Sequence, residues 1–127
     1  MTLCDTLAQV MANFHPRILF AYLFGSAGTS LQRPQSDVDI AVFFDPKAGE
    51  ATFDHKLHLY AAISRVIKQN HIDIVVLNTC SNHILMLGIL HTGRVVYDSC
   101  PEYRALFEQK ALHAAIDFKE QRDRVMA

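Results

Sequence analysis

Three aspartates carry the chemistry that this sequence suggests. Asp37 and Asp39 stand at the start of the apolar run Val38–Phe44, and Asp73 stands near the start of the apolar run Ile72–Leu77. Because successive side chains of a strand alternate between faces, Asp37 and Asp39 share one face, with Cα atoms about 7 Å apart. Two carboxylates at that distance repel by about 2 kcal/mol at an effective dielectric of 20. A shared cation relieves this repulsion, and all-oxygen ligands suit Mg²⁺ or Mn²⁺ better than zinc.

A Gly-Ser pair precedes these acids. Gly25 and Ser26 follow the apolar run Ile18–Phe24, so the glycine permits a close backbone approach, and the Ser26 hydroxyl can bind a phosphate. No lysine follows to make a P-loop, and Phe24 occupies the place of the first glycine of a GxSxG elbow. A phosphate site beside a metal site indicates nucleotide binding. Two other interpretations remain: solvated acids on an edge strand, or the DxD motif of a glycosyltransferase.

Other chemistry-bearing residues give weaker signals. His55 and His58 are three apart on a predicted helix and could bind a metal, although a solvated helix face explains them more simply. The three cysteines, Cys4, Cys80 and Cys100, are widely spaced without a CxxC motif, so we expect neither a disulfide framework nor a zinc site.

The elements that must position these residues alternate between helices and strands. Apolar runs predict strands over residues 18–24, 38–44, 72–77 and 94–98, and helical spacing predicts helices over 5–14, 53–70, 81–90 and about 102–122. Ser81 is expected to cap the third helix, and Gly93 to supply its left-handed exit. The pattern predicts an α/β (α+β) fold, a small mixed sheet of about four strands flanked by helices, in one domain over residues 1–127.

The last helix is predicted to be apolar on two sides. One stripe holds Tyr103, Phe107, Ala111, Ala114 and Phe118. Leu112 and Ile116 lie off that stripe, which suggests a contact with a partner or a second copy of the chain.

Composition excludes several classes of protein. The 127 residues are 50% hydrophobic and 20% charged, which rules out a chain that is mainly disordered. Twelve Lys and Arg balance 13 Asp and Glu without clustering, so bulk electrostatic binding of nucleic acid is not expected. The apolar run Ile84–Leu90 is too short to span a membrane, and the N-terminus lacks a signal-peptide pattern, so we expect a soluble, cytoplasmic protein.

Taken together, the motifs resemble the minimal nucleotidyltransferases of the DNA polymerase beta superfamily. The resemblance covers about residues 18–98 and includes Gly25-Ser26, the Asp37-Val38-Asp39 motif, His71 to Val75 and Gly93 to Tyr97. It implies the nucleotidyltransferase fold.

The resemblance also implies roles for individual residues. Gly25 and Ser26 would bind the phosphates of ATP, and the matching positions Arg33 and Ser36 would belong to the same nucleotide site. Asp37, Asp39 and Asp73 would hold the metal ions, Mg²⁺ or Mn²⁺, and Asp73 would help to deprotonate the attacking hydroxyl. The common pattern has Arg and Gly where this chain has Thr29 and Ser30.

Small members of the family resemble antitoxins encoded beside a HEPN-domain ribonuclease, and some transfer AMP from ATP to a tyrosine of that toxin. The resemblance therefore implies a metal-dependent AMP transferase with a toxin protein as its partner and acceptor. Two alternatives stay open: an antitoxin that neutralises its toxin by binding alone, and a transferase acting on a small-molecule hydroxyl.

Overall fold

The computed structural model describes residues 2–25, 38–49, 53–67 and 71–126. Within these ranges the helices are α1 (Leu3–Ala12), α2 (Phe53–Val66), α3 (His83–Thr92) and α4 (Pro101–Met126). The strands are β1 (Ile18–Phe24), β2 (Val38–Phe44), β3 (Ile72–Val76) and β4 (Arg94–Asp98). Short 3₁₀ turns follow β2 and β3, at Pro46–Ala48 and Leu77–Thr79.

The four strands form one mixed sheet in the order β3-β2-β1-β4. β1 pairs antiparallel with both β2 and β4, whereas β2 and β3 are parallel and are joined through α2. This arrangement confirms the predicted fold class, a small mixed sheet flanked by helices.

Both faces of the sheet are covered, which explains why its central strands are continuous apolar runs. On one face Val38, Ile40 and Val42 belong to the core formed with α1 and α2. On the other face Phe20, Ala41 and Phe43 belong to a second core, formed with α3 and α4. Val38 and Ile40 therefore lie on one face of β2, as predicted.

The ends of two helices show how local side chains set their boundaries. A capping box between Thr2 and Asp5 begins α1, and hydrogen bonds from Thr2 lower the pKa of the Asp5 carboxyl. The predicted cap of α3 was wrong, because the neighbouring Asn82, rather than Ser81, accepts a hydrogen bond from the Leu85 N–H.

The predicted left-handed exit at Gly93 was also wrong. Gly93 has φ −74° and ψ 153°, an extended conformation, because β4 begins at the next residue. A glycine is nevertheless required there, since a Cβ atom would overlap the carbonyl oxygen of Ile89. Its role is close packing against the end of α3.

α4 packs on the sheet through Phe107 and Ala111 of the predicted stripe. Ala114 of that stripe is exposed and Ala115 is buried instead, since consecutive helix residues are rotated by about 100°. The Phe118 side chain lies outside the described residues. Leu112 and Ile116 are 43% and 52% exposed, so a second apolar flank is present. Within the described ranges no helix is both long and apolar enough to cross a membrane.

Candidate functional site

Asp39 and Asp73 lie side by side on neighbouring strands. They are register partners in the parallel pairing of β2 with β3, and Phe24 of β1 lies opposite Asp39 on its other side. Adjacent strands are about 4.8 Å apart, so these two acids are closer together than two acids i and i+2 on one strand. Ala41 and Val75 are two residues further along the same strands, so their side chains lie on the same face of the sheet as Asp39 and Asp73. Ala41 and Val75 belong to the core formed with α3 and α4, so the two acids lie on that face.

The position of this pair at the end of the sheet leaves it open to solvent. Asp39 is partly buried and Asp73 is exposed. β1 ends where β2 and β3 begin, because β1 is antiparallel to β2 and β2 is parallel to β3. The acids therefore stand where a substrate and water can reach them.

Gly25 completes the described part of this site. It has φ +73°, a conformation that favours glycine, and a Cβ atom built on it would overlap Oδ2 of Asp39. In the structure the Asp39 carboxylate approaches the Gly25 backbone, and the predicted binding of a phosphate at Gly25 stays a prediction. Any larger residue at position 25 would displace that carboxylate.

The donors at this site fit a hard divalent cation. Ionised carboxylates on adjacent strands repel each other, and a divalent cation bound beside them would relieve that repulsion. Mg²⁺ is bound by few carboxylates and keeps places for water and substrate phosphate, which suits an open pair of aspartates. In the described parts of the chain no group of three or more His, Cys, Asp or Glu residues could hold a metal.

Several predicted site residues lie outside the described residues. Ser26, Arg33, Ser36 and Asp37 all fall within residues 26–37, so the phosphate-binding loop and the third carboxylate stay predictions. Of the three predicted acids, the structure brings together Asp39 and Asp73.

A groove of ≈ 410 Å³ begins at Asp73 and runs along β3. Its floor is the strand from Asp73 to Val76, and its walls come from α2 and from the turn after β3, through Phe53, Lys56, Thr79 and Cys80. The groove depends on β3 being at the edge of the sheet, which no local sequence pattern reveals, so it was not predicted.

A second cavity, of ≈ 730 Å³, lies at the opposite end of the sheet, where β1 begins and β2 ends. His55 and His58 line it together with His15, Arg17 and Lys47. The His55 ring packs against Phe44, with 5.7 Å between ring centroids. These histidines are distant from the aspartate pair and form no metal-binding group with other described residues.

The thiols and the buried tyrosine serve the fold. None of Cys4, Cys80 and Cys100 forms a disulfide, as predicted. The hydroxyl of Tyr22 donates a 2.6 Å hydrogen bond to Oε1 of Glu108, which ties β1 to α4. Burial, and then this hydrogen bond, raise the pKa of the Tyr22 hydroxyl.

Comparison with known proteins agrees with this geometry. The family described as Polymerase beta, Nucleotidyltransferase matches residues 6–102. The chain therefore belongs to that nucleotidyltransferase family, which confirms the resemblance inferred from its motifs. No curated protein matches the chain at a significant level.

Solved structures share its fold at low sequence identity. A chain from a toxin-antitoxin crystallised with AMP-PNP is 22% identical, with a TM-score of 0.75 over 99% of this chain and 100% of that one. A chain of the toxin-antitoxin MntA-HepT is 20% identical, with a TM-score of 0.68 over 98% and 97%. A protein from Shewanella oneidensis is 19% identical, with a TM-score of 0.62 over 98% and 94%.

Proposed function

We propose that this chain transfers AMP from ATP to a tyrosine hydroxyl of a HEPN-domain ribonuclease toxin and thereby acts as its antitoxin. The observation that carries the proposal is the pairing of Asp39 with Asp73, in register on adjacent strands beside the backbone of Gly25. Membership of the nucleotidyltransferase family supports the reaction class. The shared fold with toxin-antitoxin chains, one of them crystallised with AMP-PNP, supports ATP as substrate and a toxin as partner.

The three acids divide the reaction between its two substrates. Asp37 and Asp39 follow the Gly-Ser pair, so they would hold Mg²⁺ or Mn²⁺ on the nucleotide side, together with Gly25, Ser26, Arg33 and Ser36. Asp73 stands on the next strand, where it can meet an incoming hydroxyl. When bound, the divalent cation neutralises charge on the triphosphate and makes the acceptor hydroxyl more acidic.

Asp73 then acts at the acceptor oxygen. It accepts a hydrogen bond from the tyrosine O–H and helps to remove its proton as the oxygen bonds to the α-phosphorus of ATP. The bond from that phosphorus to the bridging oxygen breaks, and pyrophosphate leaves. Catalysis consists mostly of positioning and charge neutralisation, as in other phosphoryl and nucleotidyl transfers.

The purified chain, the toxin and ATP labelled at the α-phosphate test this proposal. We expect label on the toxin and an equal amount of pyrophosphate when Mg²⁺ is present, and neither product with EDTA. Toxin inhibited stoichiometrically without ATP or label would identify an antitoxin that acts by binding alone. Label transferred only to small hydroxyl compounds would identify a transferase that acts on a small-molecule hydroxyl.

A further inference from the structure

The edge of the sheet beside Asp73 has the geometry of a binding surface for polypeptide. β3 is an edge strand, since the sheet order is β3-β2-β1-β4. The Val38 N–H donates a 2.8 Å hydrogen bond to the carbonyl of His71. Because backbone groups of a parallel strand alternate in direction, the N–H and C=O groups of Asp73 and Val75 also face β2. Those of Ile72, Ile74 and Val76 therefore face away from the sheet.

This edge lacks several of the features by which proteins protect an exposed strand. The residues of β3 are IDIVV, with no proline and no lysine. Its one charged side chain is Asp73 of the site itself, and its pairing with β2 continues without a bulge through five residues. The other edge strand, β4, begins with Arg94, and its pairing with β1 shifts register between Ala21 and Tyr22. Of the two described edges, β3 is the one left suitable for pairing.

The groove along β3 adds side-chain contacts to this backbone edge. Phe53, which is 68% exposed, offers an apolar wall close to Val75 and Val76. Lys56 stands on the same wall and has no ion-pair partner among the described residues. The groove therefore favours an apolar side chain and an acidic one on whatever binds there.

We propose that the edge of β3 and its groove bind an extended segment of the acceptor protein as an added strand, which delivers the acceptor hydroxyl to Asp73. The inference rests on the proposed function and specifies how its substrate is recognised. Regularly spaced N–H and C=O groups match another polypeptide backbone, and Asp73 makes the groove continuous with the catalytic site. Asp73 and Val76 are about 10 Å apart along β3. On the bound segment of the acceptor protein, the acceptor hydroxyl and the side chains that bind in the groove are therefore about three residues apart.

Amide hydrogen exchange followed by NMR tests the added strand directly. The probe is a HEPN-domain toxin that the chain labels in the transfer assay of the proposed function. We expect the amides of Ile72, Ile74 and Val76 to exchange rapidly in the chain alone and at least tenfold more slowly in the complex. Asp73 and Val75, whose amides face β2, are the internal controls. A complex that protects α4 and leaves the three edge amides unchanged would overturn the proposal.

A proline substitution tests whether pairing at this edge is needed for transfer. Val76 has φ −88°, close to the value that proline requires. The N–H of Val76 faces away from β2, so Val76→Pro removes a hydrogen-bond donor from the edge without breaking the β2–β3 ladder. Val76→Ala is the matched control, because it shortens the side chain and keeps the N–H. We expect Val76→Pro to lower the rate of AMP transfer at least tenfold relative to Val76→Ala, with Mg-ATP affinity equal within about twofold.

A charge reversal provides a second test that does not depend on the proline variant folding. Lys56→Glu should raise the KM for the acceptor protein several-fold, whereas Lys47→Glu, in the cavity at the opposite end of the sheet, should leave it unchanged. Equal KM values for both variants, or equal rates for Val76→Pro and Val76→Ala, would refute edge recognition while AMP transfer by the wild type stands. A wild type that transfers nothing would refute the proposed function and this inference with it.

Discussion

At the scale of single residues, two neighbouring aspartates have different surroundings. Asp39 lies against the backbone of Gly25 and is partly buried, whereas Asp73 is exposed and lines the groove along β3. Their different surroundings follow from the sheet order, since β2 is an inner strand and β3 an edge strand. We therefore propose that the inner acid serves the nucleotide and the outer acid the acceptor.

Conservative substitutions separate the two roles. Asp39→Asn should abolish AMP transfer and weaken Mg-ATP binding, because it removes the carboxylate that we propose holds the metal on the nucleotide side. Asp73→Asn should slow transfer by roughly 10² to 10⁴, as for loss of a general base, with a much smaller change in Mg-ATP affinity. Calorimetric titration beside a transfer assay measures both quantities. Equal losses of affinity and rate in Asp73→Asn would place Asp73 on the nucleotide side.

Gly25 offers a test of the contact with Asp39 that has a matched control. Gly25→Ala forces an alanine into φ +73° and its Cβ into the Asp39 carboxylate, so transfer should fall roughly 10²-fold because a catalytic group is displaced. Gly49→Ala imposes a similar backbone strain at φ +97°, where no atom lies within 4 Å of the added Cβ. Both variants should lose about 1–3 kcal/mol of stability in urea unfolding. Normal activity in Gly25→Ala would show that the contact has no catalytic consequence.

At the scale of secondary-structure elements, a polar network fastens α4 to the sheet. The Arg104 guanidinium donates to Asp98 at 2.7 Å and to Glu108 at 2.9 Å, and Glu108 also accepts the hydrogen bond from Tyr22. The hydrogen bond to Asp98, and then the one to Glu108, raise the pKa of Arg104 against the opposing effect of burial. These bonds connect β1, β4 and α4.

Tyr22→Phe tests this network through the pH dependence of stability. The variant lacks the hydrogen bond to Glu108, which should lower its free energy of unfolding by about 1 kcal/mol at neutral pH. Because the pKa of Tyr22 is raised by folding, the unfolded chain releases this proton first, and wild-type stability falls above about pH 10 by up to about 1.4 kcal/mol per pH unit. The variant should lack that contribution. Urea unfolding from pH 8 to 11.5 measures both effects, and identical slopes would contradict the assignment.

The elements were largely predictable, and their arrangement was not. The runs Ile18–Phe24 and Val38–Phe44 coincide with β1 and β2, because strands covered on both faces are mostly apolar. The run Arg94–Asp98 coincides with the less buried strand β4. The last helix extends to Met126 instead of about residue 122, since no glycine or proline marks its end. Strand order depends on pairings between distant segments, so neither the edge position of β3 nor the groove could be predicted.

The site was predictable to the extent that its chemistry is local. The alternation of side chains along a strand predicted that Asp39 lies on the opposite face of β2 from Val38 and Ile40. Val38 and Ile40 belong to one core, and Ala41, on the same face as Asp39, belongs to the other. That Asp39 and Asp73 are register partners follows from the β2–β3 pairing, which no local pattern reveals; the motif resemblance implied only that both acids hold metal ions.

At the scale of the whole molecule, α4 presents an apolar flank in addition to the side that packs on the sheet. Leu112 and Ile116 are 43% and 52% exposed, one helical turn apart. We propose this flank as the contact with a second copy of the chain. The double variant Leu112→Glu and Ile116→Glu should sediment as a monomer at concentrations where the wild type is a dimer. A monomeric wild type over the same range would refute the contact.

The central claim is that this chain attaches AMP to a protein. Its most direct test is the intact mass of the HEPN-domain toxin after co-expression with wild-type chain, with Asp39→Asn, or alone. The account predicts a toxin heavier by one or more AMP units only with the wild type, with fragmentation placing the added mass on tyrosine. A toxin of unmodified mass that is nevertheless inactive beside the wild type would contradict it.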